Sequence, residues 1–270
     1  MMSSESPEIP PVLPVYDEAA LREARVQAEF FQRLRSNQPR VTIALIAACG
    51  AVFGLECLWA QQGENLDGLY SMGAMVGEAA RAGEWWRLWS ATFLHIGPMH
   101  IIMNMLVLWS LGRQMEAMFG SWRFLILYAL SGLAGNIPYL FTQQETVGAG
   151  ASGAIWGILA GMYAFTLRPR GQMPLAIAQR ARRGLMQTLF INLAISFLPG
   201  IGLWAHLGGG LVGFSLVFSG VLGGHADEPA EWPGRRSVGQ HWTTWVALAL
   251  SAGMLGSVVW ALVVGKPWVQ

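Results

Sequence analysis

The sequence predicts an all-α polytopic membrane protein of seven transmembrane helices, the seventh C-terminal. Three observations predict this. Charged residues make up 12% of the 270 and hydrophobic residues 53%, against about 25% charged in soluble proteins. The apolar residues fall into seven runs, near 41–59, 93–111, 124–142, 151–167, 185–199, 204–222 and 243–263, close to the ~20 residues that cross a bilayer. The cations alternate between the segments joining those runs. With the N-terminus inside, 14 of the 17 Lys and Arg are inside, and only Arg81, Arg87 and Lys266 are outside. That asymmetry orients the chain with a cytoplasmic N-terminus and an external C-terminus. The same composition excludes a disordered chain and a disulfide scaffold. A net charge of +1 excludes a basic nucleic-acid-binding domain. Cys49 and Cys57 share one apolar run and read as small apolar residues.

In chain order, residues 1–40 are a cytoplasmic tail. It opens with a Ser/Glu/Pro-rich stretch containing Pro10, Pro11 and Pro14. From Asp17 to Arg35 the apolar residues Leu21, Ala24, Ala28, Phe31 and Leu34 recur at helical spacing. This segment reads either as an amphipathic helix on the membrane surface or as a short solvated helix. Residues 41–223 hold the six-span core, 224–242 a cytoplasmic loop, and 243–270 the seventh span and C-terminus. The first outer loop, about 60–92, is long and carries Trp85, Trp86 and Trp89, suited to a membrane interface. The outer loop 143–150 has so little charge that it is expected to dip toward the membrane, with its backbone buried in protein. Neither a secretory signal nor an Arg-rich transit peptide opens the chain, which points to a bacterial plasma membrane.

Polar residues inside spans are candidates for function, and here they share one depth. His100 and Asn104 lie in the first turns of span two, Ser152 in the first turn of span four, and His206 in the first turn of span six. All three spans run from outside to inside. His100 and Asn104, four apart, project from one side of their helix. Gly153, Gly157 and Gly161 form a small-residue ridge below Ser152. Gly209 and Gly213 form another below His206. Such ridges let membrane helices approach closely; if the two face each other, Ser152 meets His206 at the top.

A serine beside a histidine is the arrangement of an activated nucleophile. The imidazole takes the hydroxyl proton during attack on a carbonyl, then gives it to the leaving amine. No Asp or Glu lies in span six or beside His206, so a two-residue dyad is the economical reading. His100, Asn104 and the backbone N–H of Ser152 are candidates for holding the oxyanion. Taken singly, each has a plainer role: a serine bonded to its own helix, a structural histidine, an asparagine joining helices. His95 reads as a structural residue close to the surface, bonding the first outer loop. Glu56 and Glu116, near helix ends, read as caps or ion-pair partners. His225 and His241 fall in the inside loop.

The motifs resemble those of the rhomboid family of intramembrane serine proteases. Gly150-Ala151-Ser152-Gly153 is a GxSG at the head of a span. His95, His100 and Asn104 form HxxxxHxxxN. Ala205-His206 with Gly209 and Gly213 forms AHxxGxxxG. Trp86-Arg87 lies in the first outer loop, and Leu111-Gly112 precedes Glu116. The resemblance covers about 84–213 and implies a six-helix rhomboid-like core. It also implies cleavage of single-span membrane proteins in or near their transmembrane segments by a Ser–His dyad, with no metal or cofactor. Ser152 would be the nucleophile, His206 the general base, and His100, Asn104 and the Ser152 amide the oxyanion hole. Trp86-Arg87 would belong to a structural loop lying partly in the membrane. One departure is Trp156, where the family often has a tyrosine stacked on the catalytic imidazole; an indole also stacks but has no phenolic hydroxyl.

Three other readings compete. His95, His100 and His206 as zinc or iron ligands suffer from the five-residue spacing of the first pair and from the lack of a nearby carboxylate. A non-enzymatic relative that retains membrane proteins would lack the serine or the histidine, and both are present. A transporter would show charged or unwound midplane helices, which are not evident.

Overall fold

The structure, a computed structural model, describes residues 17–141, 146–168, 173–222 and 239–264. The stretch before Asp17 and most of the expected 224–242 loop lie outside the described residues. Among the described residues the fold is all helical, with one isolated antiparallel bridge between Met75 and Gly148. The helices are α1 (Glu18–Ser36), α2 (Arg40–Trp59), α3 (Leu66–Ser71), α4 (Gly77–Arg81), α5 (Arg87–Ser90), α6 (Pro98–Phe119), α7 (Ser121–Asn136), α8 (Ser152–Leu167), α9 (Leu175–Ile195), α10 (Leu203–Phe218) and α11 (Gly239–Val264).

Helix α8 is the centre. Nearly all of its side chains from Gly153 to Thr166 are buried, against α6, α7, α9 and α10. Helix α2 packs on α6 and α7, and α11 on α7 and α5. Apolar side chains face outward on the surrounding helices, among them Met99, Ile102 and Leu106 on α6, Phe190 and Ile191 on α9, and Leu211 on α10. A surface this apolar is suited to lipid rather than water. By length and composition alone, the stretch Glu18–Trp59 can cross a membrane, and so can the bent pair Arg87–Phe93 and Pro98–Phe119. Helices α8 and α10, at 16 residues each, are about 24 Å long, shorter than a hydrocarbon core of ~30 Å.

Several boundaries differ from the apolar runs. The second run, from 93, does not begin a helix. Residues Arg87–Phe93 turn by 90° into α6, which starts at Pro98 after Gly97. The third run to 142 ends as α-helix at Asn136, because Pro138 cannot continue the ladder and a 3₁₀ turn, Ile137–Leu140, takes over. The fifth begins at Leu175, ten residues before the apolar run, since arginines occupy its first turns. It ends before Pro199-Gly200.

Two devices set the frame. Gly120 alone joins α6 to α7, at φ 81°, a left-handed conformation that costs glycine little. Glu116, fully buried, accepts the backbone N–H groups of Val41 and Thr42 at 2.9 Å each and the Thr42 hydroxyl at 2.8 Å. It also accepts the Ser121 hydroxyl at 2.6 Å. Pro39 gives α2 no side-chain cap, so the carboxylate of α6 satisfies the orphan donors of α2 and ties three helices at one end.

Candidate active site

Helices α8 and α10 run parallel in contact. A Cβ on Gly209 would strike the carbonyl of Gly153, one on Gly213 would strike Gly157, and one on Gly161 would lie 3.0 Å from Val217. These pairs keep a constant offset of 56 residues, which only parallel helices give. The two glycine ridges therefore face each other. The same offset sets Ser152 level with Gly208, two residues or about 3 Å of helix rise from His206.

Ser152 opens α8 and is half-buried. The loop before it is pinned at its backbone. Met75 and Gly148 exchange two hydrogen bonds of 2.7 and 2.8 Å, and the Gly150 N–H donates to the Ala91 carbonyl at 2.9 Å. Gly150 has φ 132°, and a Cβ there would sit 2.7 Å from Cε1 and 3.0 Å from Nε2 of His100. Only glycine lets this backbone reach the imidazole. Ala151 offers no side-chain cap, so the Ser152 N–H, in the first turn, has no partner within its own helix.

His100 is held from the other side: the Ile96 N–H donates to its Nδ1 at 3.2 Å. A backbone N–H can only donate, so Nδ1 carries a lone pair and the proton of the neutral ring sits on Nε2. That makes Nε2, beside Gly150, a donor. Asn104 is buried and gives one amide hydrogen to the His100 carbonyl at 3.0 Å; its second hydrogen remains. His206 is buried on α10. Trp156, one turn into α8, stacks on its ring with centroids 5.2 Å apart and planes 17° from parallel. Its Nδ1 lies 2.7 Å from Oγ of Ser196. Among the described residues no hydrogen bond joins the Ser152 hydroxyl to His206. Such bonds often tighten only with substrate bound.

The remaining residues frame the site. His95, expected within the second run and nearer the membrane surface than His100, is fully buried in the protein. It precedes α6 rather than lying on it, because the chain bends there. Its N–H donates to Glu56 at 3.0 Å, its Nδ1 lies 3.2 Å from the Phe93 carbonyl, and its ring meets His100 edge-on at 5.4 Å. Arg87, fully buried, pairs with Glu84 at 2.6 Å and donates to the carbonyls of Tyr70 and Ala74 at 2.7 and 2.8 Å. Its guanidinium covers the rings of Tyr70 and Trp86, so Trp86-Arg87 stitches the first outer loop together. Among the described residues no three His, Cys, Asp or Glu side chains form a metal-binding group.

Ser196 was not singled out from the sequence, yet a signal was present. It lies at the end of the fifth run, which the arginine pattern predicts to emerge on the side where His100, Ser152 and His206 are expected.

Residues 82–222 match the rhomboid domain, and the chain belongs to the rhomboid family. It is 36% identical over 152 residues to the rhomboid protease GluP of Bacillus subtilis, covering 56% of this chain and 29% of that protein. It is 36% identical over 161 residues to RHOMBOID-like protein 5 of Arabidopsis thaliana, covering 58% of this chain and 50% of the relative. RHOMBOID-like protein 4 of the same plant is 35% identical over 156 residues, 56% of this chain and 38% of the relative. The chain thus spans between about a third and a half of the length of these relatives. Membership of this family makes it an integral membrane protein.

Proposed function

We propose that the protein is an intramembrane serine endopeptidase that hydrolyses peptide bonds in or near the transmembrane segments of membrane proteins. The observation that carries this reading is the parallel glycine contact of α8 and α10, with Ser152 and His206 at the same end and Trp156 stacked on the imidazole. Oγ of Ser152 attacks the scissile carbonyl carbon while His206 takes its proton. A tetrahedral intermediate forms, and its oxygen is held by the Ser152 N–H, Nε2–H of His100 and the free amide hydrogen of Asn104. His206 then protonates the leaving amine, and water resolves the acyl-enzyme by the same route. The relative named as a rhomboid protease, GluP, supports the reaction class. No metal or cofactor enters it.

Six core spans and a seventh after them, with the N-terminus cytoplasmic, the C-terminus outside, and a bacterial plasma membrane as the site, complete the proposal. The arginine asymmetry supports this orientation: reporter fusions in the loop at 168–184 should report the inside. The deciding experiment is fluorophosphonate labelling of the purified protein with mapping of the modified residue. Covalent labelling at Ser152, lost in His206→Ala, is expected. Labelling elsewhere, or none in a protein with intact structure, overturns the reading.

A further inference from the structure

We infer that Ser196, at the C-terminal end of α9, is a positioning residue that holds the proton of His206 on Nδ1 and so leaves Nε2 bare to receive the proton of Ser152. Its use in catalysis rests on the protease reading above; the proton assignment itself does not. Two short contacts meet at one hydroxyl. Oγ of Ser196 lies 2.6 Å from the carbonyl oxygen of Asn192 and 2.7 Å from Nδ1 of His206. The hydroxyl has one hydrogen. A carbonyl oxygen only accepts, so that hydrogen lies toward Asn192, in the i−4 geometry common for helical serines. Oγ then meets Nδ1 with a lone pair, and Nδ1 must carry the hydrogen. The opposite assignment would set two oxygen lone pairs 2.6 Å apart with no proton between them. Ser196 is 1% exposed, so water does not substitute for either partner. The Asn192 carbonyl also accepts the Ser196 N–H at 2.9 Å, which fixes the residue's backbone.

The consequence is directional. As Ser152 attacks, its O–H bond breaks and an N–H bond forms at Nε2, while Nδ1 keeps its own hydrogen. The imidazolium so formed points Nδ1–H at an oxygen already polarised by its bond to Asn192. Trp156 fixes the plane of the ring and Ser196 fixes which edge is which. Among the described residues no acidic side chain bonds His206, and a neutral hydroxyl–carbonyl relay from α9 takes the orienting part of a third member's role.

The test reads the tautomer directly. Protein carrying ¹⁵N-histidine, with Ser152→Ala to prevent self-cleavage, is examined by long-range ¹H–¹⁵N correlation, and His206 is assigned by its loss in His206→Gln. Nδ1–H is expected for His206, whereas Nε2–H overturns the inference from this protein alone. In Ser196→Ala an Nε2–H population should appear, since the acceptor that selects the tautomer is gone. With Ser152 restored, fluorophosphonate labelling and kcat should fall about tenfold as the competent form becomes a minor one, with KM nearly unchanged. Ser196→Thr, which keeps the hydroxyl, should recover both the spectrum and the rate. An unaltered spectrum in Ser196→Ala, or a rate loss that Ser196→Thr leaves in place, shows a packing residue and overturns the proposal. Failure of the parent protein to label at Ser152 sinks the protease reading, while the spectrum still decides the proton assignment.

Discussion

The starts of α6 and α10 each present an imidazole to the head of α8, half-buried for His100 and buried for His206, and the two are wired in opposite senses. At α6 the Ile96 N–H donates into Nδ1 of His100, so the edge beside Gly150 is a donor. At α10 the nitrogen of the same name faces Ser196, and the inferred proton there makes the other edge an acceptor. In the proposed reaction one residue type thus supplies an electrophile on one helix and a base on another. What separates them is a single hydrogen-bond partner each, a backbone N–H for one and a side-chain oxygen for the other.

The difference predicts unequal consequences of removing each ring. His206→Ala should reduce cleavage of a single-span reporter substrate to background, about 10⁴-fold or more, as should Ser152→Ala, and the double variant should be no worse. His100→Ala removes one oxyanion donor and should lower kcat by about 10²–10³-fold with residual turnover, read from steady-state kinetics in detergent. Equal inactivation by both histidine variants would break the distinction. Gly209→Leu touches neither ring, but the added side chain meets Gly153 across the contact. A displacement near 1 Å costs about 100-fold in rate, so fluorophosphonate labelling should fall by that order while membrane insertion persists. The smallest effect belongs to the stack on His206. Trp156→Ala should cost about 2–10-fold in kcat, the equivalent of ~0.5–1.5 kcal/mol for a lost aromatic contact, and Trp156→Tyr should recover most of it.

Much of this site was legible without coordinates, for particular reasons. The helix period put His100 and Asn104 on one side, and the four-residue spacing of Gly209–Gly213 and Gly153–Gly157–Gly161 announced two smooth ridges. Loop charge predicted a common depth for three helix starts. What escaped depended on geometry that periodicity does not encode. The 90° bend before α6 moved His95 off the helix and into the interior. The start of α9 at Leu175 was hidden because Arg180, Arg182 and Arg183 break the apolar pattern without breaking the helix. The amide of Asn104 turned out to bond its own helix at His100. The contact of Ser196 with His206 became visible only once α9 and α10 had positions, because the two are ten residues apart across a turn containing Pro199 and Gly200.

The convergence of three helix starts at Gly150, Ser152 and His206 has an electrostatic outcome. Each helix carries the equivalent of about half a positive charge at its N-terminal end, and α6, α8 and α10 direct those ends toward the same small volume. A planar, neutral peptide carbonyl entering that volume gains little from the field. The tetrahedral oxyanion of the proposed reaction would gain a great deal, because the surrounding dipoles are fixed and need not reorient. In the proposed reaction the backbone of the fold would thereby stabilise a charge that exists only during reaction, which is the condition for lowering a barrier rather than merely tightening binding.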